Sequence, residues 1–177
     1  MNTATKLAFY GALIFLMASI AGFAIFFSTN ENFQPEASKT GDTEYESLEE
    51  LNDACNSYVG VPDGATDVEY SSTSLNSRAV ARIDFAYDGC DCWFMQKITL
   101  YKKNFTGTEI EATSTSDYES DDGKTWSLEW NDTQGMALLY DGSDGWLMNV
   151  LYVEGDGVSE QVLQELADDV IVIEEDE

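Results

Sequence analysis

Histidine is absent from the 177 residues. That removes Ser-His-Asp and Cys-His catalysis, His-bearing zinc sites and imidazole proton transfer together. Any catalysis would have to run on carboxylates, thiols, tyrosine or lysine. Basic side chains are scarce too: eight Lys and Arg stand against 34 Asp and Glu, a formal net charge of −26. Such a surface repels phosphate backbones, which argues against nucleic acid as a partner, and by the same token it should avoid anionic lipid headgroups. It attracts cations and basic partners, and its plainest role is to keep the domain soluble.

Charge is missing altogether from residues 7–27, LAFYGALIFLMASIAGFAIFF. This run of 21 residues suffices for a helix crossing about 30 Å of hydrocarbon. No acid precedes Glu31, and Lys6 is the only base there. The asymmetry predicts a single-pass protein of the cell membrane, with its N-terminus cytoplasmic and its C-terminal domain outside. The rival reading is a cleaved signal peptide, for which Ser19-Ile20-Ala21 supplies small residues. The apolar run continues past that point, which favours a retained signal anchor. No cysteine lies near the run, which argues against a lipoprotein.

This reading divides the chain into a membrane anchor at 1–28, a flexible tether at 29–46, an acidic extracytoplasmic α+β domain at 47–173 and an acidic tail at 174–177. Within the domain, SLEE at Ser47–Glu50 is a capping box. Leu48, Leu51, Cys55 and Tyr58 follow at helical spacing and predict a short helix ending near Gly60. The pattern then changes to period two. Ala79, Ala81, Ile83, Phe85 and Tyr87 alternate, and Phe94 shares a face with Gln96 and Ile98 against Trp93, Met95 and Lys97. Further alternation marks Trp126–Trp130, Met136–Tyr140 and Trp146–Tyr152. Asp-Gly pairs between these runs predict tight hairpins. After Gly157 helical spacing returns, with Ser159 as cap and Val162, Leu163, Leu166 and Val170 as the apolar stripe. The expected fold is α+β: a helix, an antiparallel meander of six to seven strands, and a C-terminal helix packed on one face.

One nine-residue pattern recurs with Tyr, Asp, Gly, Asp, Trp and Met at the same offsets. YDGCDCWFM at 87–95 is echoed by YDGSDGWLM at 140–148. Two hairpins with cross-strand aromatic pairs account for the shared residues without chemistry. A calcium site from Asp88, Asp91, Asp141 and Asp144 is the first functional alternative, although the spacing is not that of an EF-hand loop. The second is thiol redox chemistry at Cys90 and Cys92, present only in the first copy. No Lys or Arg neighbours those thiols in the sequence, and Asp91 would raise their pKa. Outside the cell three cysteines imply one bridge and one leftover. A structural Cys55–Cys90 or Cys55–Cys92 disulfide would close a loop of about 35 residues and contribute roughly 3–4 kcal/mol.

Two sequons, at Asn104 and Asn131, matter only in a glycosylating pathway. Paired carboxylates such as Glu109/Glu111 and Glu119/Asp121 arise readily among so many acids and read as solvated surface. No residue stands out as a catalytic, cofactor-binding or metal-ligating group.

The stretch SLEELNDACNSYVGVPDGATDVEYSS, followed by AVARIDFAYDG, resembles an uncharacterised bacterial family of small extracytoplasmic domains, seen behind a single membrane anchor in Gram-positive bacteria. The later YDGSDGWLM and the closing helix fit the same plan, so the resemblance covers about residues 47–170. CDC at 90–92 departs from it. The resemblance implies a display domain at the cell envelope and carries over no catalytic residue. The expected role is therefore binding, sensing or structural, with an envelope partner and no cofactor.

Overall fold

The computed structural model describes residues 40–75, 78–142 and 146–171. The apolar run at 7–27 lies outside them, and among the described residues no helix is long and apolar enough to cross a membrane. Eight strands form one antiparallel sheet: β1 (Thr40–Tyr45), β2 (Thr66–Leu75), β3 (Arg78–Tyr87), β4 (Cys90–Ile98), β5 (Ser114–Glu119), β6 (Thr125–Trp130), β7 (Gln134–Asp141) and β8 (Leu147–Glu154). Among the described residues two helices accompany the sheet, α1 (Leu48–Cys55) and α2 (Glu160–Asp169). The class is α+β, as the sequence pattern predicts.

The sheet is not one meander. Its order is β1-β2-β3-β4-β8-β7-β6-β5. Two four-stranded meanders are joined where β4 pairs with β8, in the register Phe94↔Leu151. Residues 99–113 carry the chain from the middle of the sheet to its far edge, and the second meander then winds back. Each outer strand has a free edge, and both edges are short and carry charge, which discourages pairing with other chains.

The folded unit begins earlier than Ser47. Residues 40–45, expected as tether, pair with β2 as an edge strand (Tyr45↔Tyr70). TGDTEY has no apolar alternation, so its strand identity comes from the pairing rather than from its composition. Tyr45 holds it in place, packing on the core and bonding Ser72 Oγ through its hydroxyl at 2.9 Å. The polar strands β2 and β5 escape the period-two signal for the same reason.

Both helix starts follow from their caps. Ser47 Oγ accepts from the Glu50 amide at 3.2 Å, and the Glu50 carboxylate reaches back to the Glu46 amide at 3.1 Å. Ser159 Oγ likewise accepts from the Val162 amide. Helix α1 ends sooner than its spacing implies. Asn56 takes the left-handed conformation (φ 50°) at the C-cap, so Tyr58 leaves the stripe and is exposed.

Both helices lie on one face of the sheet. There Leu51, Phe94, Trp126, Leu151, Leu163 and Leu166 are fully buried in the main core. Each such side chain contributes on the order of 1.5–3 kcal/mol of transfer free energy. Gly135 lets α2 sit flush on β7, because a Cβ there would meet Val158 Cγ1 at 2.9 Å and Leu163 Cδ2 at 3.0 Å. Tyr118 ties β5 to the same helix by donating to Asp168 Oδ2 at 2.6 Å, a bond that pushes its hydroxyl pKa up to about 12. A buried polar link joins the two meanders: Gln96 Nε2 donates to Asn149 Oδ1 at 2.8 Å, and Gln96 Oε1 accepts from the Tyr58 amide at 2.7 Å.

Candidate functional site

The face opposite the helices is divided. Over β4, β8 and β7 the crossing segment 99–113 forms a lid. Phe105 and Ile110 press onto Met136, Met148, Val150 and Tyr152, making a second, smaller core. Asn104 holds the segment in shape, accepting from the Thr106 amide at 2.9 Å and donating to the Thr108 carbonyl at 2.8 Å. Lys97 lies beneath it, 7% exposed, with its ammonium 5.4 Å from the centre of the Phe105 ring. Burial pushes that ammonium's pKa down, and the charge of Arg78 adds to the effect.

Among the described residues no segment covers β1, β2 and β3 in the same way. A groove of about 830 Å³ opens there, walled by β1 on one side and by Phe105, Thr106 and Thr108 on the other. Among the described residues its carboxylates are Asp42, Glu44, Glu46, Glu69 and Asp84, and its only cation is Arg82. Period two explains the arrangement: on β3 the core takes Ala81, Ile83 and Phe85, so Val80, Arg82 and Asp84 line the groove floor.

Arg82 is already engaged. Its Nε donates to Asp84 Oδ2 at 2.6 Å, and its Nη2 bonds the other oxygen of the same carboxylate. That fork raises the guanidinium pKa, with a smaller contribution from the charge of Asp42. The guanidinium also lies 5.3 Å from the centre of the Trp93 ring, and Trp93 stacks on Tyr152 with ring centres 5.2 Å apart. The Tyr152 hydroxyl donates to Glu154 at 2.9 Å and accepts from Gln134 at 2.8 Å. A polar and aromatic ladder therefore runs across β3, β4 and β8. A smaller hollow of about 340 Å³ beside it is lined by Asp67, Asp84, Asp91, Trp93 and Glu154. Carboxylates over aromatic rings make a surface that attracts an ammonium or guanidinium group and repels an anion.

The residues singled out in the sequence fall elsewhere. Asp88 sits in the β3–β4 turn, whereas Asp141 ends β7, at the opposite end of the sheet. With a strand of eight or nine residues between them, Asp88 and Asp91 do not converge with Asp141; Asp144 lies outside the described residues. Among the described residues no group of three or more Cys, Asp or Glu is placed to hold a metal.

The echo is not a repeated structure either. In the first copy Asp88 (φ 49°) and Gly89 (φ 81°) form a two-residue turn, with Tyr87 on the helix side and Trp93 on the open side. The expected cross-strand pairing of those two aromatics is therefore absent. In the second copy Asp141 pairs with Leu147 across a longer loop, and Tyr140 does meet Trp146, edge to face with centres 6.4 Å apart.

Cys55, Cys90 and Cys92 are free thiols buried in the main core. Burial raises all three pKa values, and Cys92 is pushed up to about 12. The charges of Asp88 and Asp91 add to the rise at Cys90. These thiols are poor nucleophiles, which weighs against redox exchange at the C-x-C pair. The two sequon asparagines both have local structural bonds: Asn131, like Asn104, accepts from the amide two residues on, and its Nδ2 donates to the Glu111 carbonyl.

No protein-family model matches the chain, nor does any curated protein or solved structure. The groove itself had one legible trace in the sequence. In β3, a strand that alternates cleanly, Arg82 stands between core-facing Ala81 and Ile83 and shares its face with Asp84.

Proposed function

We propose that this chain is a membrane-anchored binding protein of the cell envelope whose outer domain takes up a cationic partner, a Lys- or Arg-rich peptide segment, along its uncovered sheet face. The groove carries this reading: among the described residues five carboxylates line it with a single arginine, and that arginine is already committed to Asp84. Presentation outside the membrane rests on the uncharged run at 7–27 and on the charge asymmetry around it. The missing histidine and the buried Cys92, whose pKa burial raises to about 12, support a binding role over thiol or histidine catalysis.

Titrating tetralysine into the full chain in detergent micelles tests the proposal. Binding should weaken at least about threefold when Glu44 and Glu69 are changed to Gln, since neutralising two close carboxylates removes the nearest counter-charges. Neutralising the exposed Glu49 and Asp132 instead should leave it unchanged. Equal losses from both pairs would mean that the peptide reads only net charge, and the groove would not be the site.

A further inference from the structure

The bases among the described residues, Arg78, Arg82, Lys97, Lys102, Lys103 and Lys124, are not spread evenly over this acidic domain. Arg78, Lys102 and Lys103 are exposed at one end of the sheet, where β3 begins and β4 runs out into the crossing segment. Three of the four large apolar side chains that stand exposed among the described residues are there as well. Leu100 is 65% exposed, Tyr101 72% and Trp146 49%.

Specific bonds gather these groups into one patch. The Thr99 amide donates to the Trp146 carbonyl at 2.7 Å, which fixes Trp146 beside Leu100 and Tyr101. Lys102 Nζ lies 5.0 Å from the centre of the Tyr140 ring, and that ring meets Trp146. Arg78 Nη1 donates to the Ile98 carbonyl at 3.2 Å. Exposed Trp, Tyr and Leu flanked by Lys and Arg are the side chains that settle at a bilayer's headgroup level, where aromatic rings are half solvated and cations meet phosphate.

The path of the chain supports the same occupant. The strand register puts Thr40 beside Ser74 and Leu75 beside Arg78, so the polypeptide enters the folded unit at the patch's end of the sheet. The apolar run ends at residue 27, and residues 28–39 separate it from β1. Fully extended, twelve residues reach about 40 Å. A domain on so short a lead cannot move far from the bilayer, and the end nearest its own tether is the end that carries the patch.

We propose that this end of the sheet docks on the anionic phospholipid surface of the membrane that anchors the chain, inserting Leu100, Tyr101 and Trp146 and pairing Arg78, Lys102 and Lys103 with lipid phosphates. Net charge alone argues for avoidance of anionic lipid; the grouping of the cations reverses that locally. Docking fixes the orientation of the domain and leaves the groove, on the open face, clear of the bilayer. It rests on the anchor reading above, but not on the identity of the groove's partner.

The full chain is reconstituted into vesicles of phosphatidylcholine with or without phosphatidylglycerol, the lipids carrying bromine just below the headgroups. Flotation on a density gradient reads the anchor, and bromine quenching of tryptophan fluorescence reads docking. In phosphatidylglycerol vesicles the wild type should show a quenched fraction that Trp146→Phe abolishes. Lys102→Glu with Lys103→Glu, or omission of phosphatidylglycerol, should cut that fraction at least about threefold. Unchanged near-ultraviolet circular dichroism shows that the exposed substitutions leave the fold intact. A chain that floats but is quenched equally with and without Trp146, or that ignores lipid charge, overturns the docking and leaves the anchor standing. A chain that does not float overturns the anchor, and the docking with it. A doubled mass in detergent that Trp146→Phe returns to monomer assigns the patch to a second copy and overturns the lipid proposal.

Discussion

Replacing Gln96 by Leu breaks the buried link between the two meanders and α1's exit. Gln96 is 2% exposed and Asn149 1%. In the wild type Gln96 satisfies two groups at once, accepting from the Tyr58 amide and donating to Asn149 Oδ1. Leucine keeps most of the volume and does neither. Each polar group left buried without a partner costs about 1–3 kcal/mol. The added apolar surface offsets part of that, so a net loss of about 2–4 kcal/mol is expected from these two terms. Against a typical stability of about 5–15 kcal/mol this is a large fraction. Guanidinium unfolding of the full chain in micelles, followed by the emission of the fully buried Trp126, measures it. The double variant Gln96→Leu with Asn149→Leu should cost less than the two single changes added together, because one replacement removes the orphan that the other creates. A single variant within about 0.5 kcal/mol of wild type, or a strictly additive double, would refute this account of the junction.

Three further outcomes follow from named groups. The Cys92 thiol pKa is raised in the folded state, so its contribution to stability is complete below about 9 and is lost as pH climbs toward about 12; unfolding midpoints should fall across that window, and less steeply in Cys92→Ala. A thiol reagent at pH 8 should leave the native chain almost unmodified and label three cysteines after denaturation, whereas one labelled cysteine would reveal a Cys55 bridge. Gly89→Ala places a Cβ at φ 81°, where nothing lies within 4 Å, so it should cost about 1–2 kcal/mol through backbone strain alone, read as a lowered melting temperature with no change in the circular dichroism of the folded state.

The parts of the fold that announce themselves in the sequence are those with one greasy face and one wet one. β3, β4 and β6 alternate because the helices bury every second residue; β7 and β8 are apolar on both faces, and the alternating Met136, Leu138 and Tyr140 and Met148, Val150 and Tyr152 lie under the crossing segment instead; both helices are marked by a serine cap and an apolar stripe. β1, β2 and β5 do not alternate visibly: they stand at or near the sheet edges, where Ser, Thr and charged residues satisfy a ladder without filling a core. Strand order was not legible at all. It is set by the crossing of 99–113, whose decisive contacts, Phe105 and Ile110 on Met136 and Tyr152, follow no period. The groove was hidden for a related reason. Its carboxylates come from β1, the residue just after it, β2 and β3, between Asp42 and Asp84 in the chain, and become one surface only through the register of those strands. The echo at 87–95 and 140–148 shows the limit from the other side: its shared residues enter turns of different length, with Tyr87 on the helix side and Tyr140 on the opposite one, so the expected aromatic pair forms only in the second copy.

Hydrogen exchange of the full chain in micelles, with and without tetralysine, addresses the proposed groove most directly. Slowed exchange confined to amides of residues 42–46, 69–73 and 105–108 is the predicted result, because those segments wall the groove. Uniform slowing over the domain, or protection centred on the β5–β6 edge and α2, would contradict it.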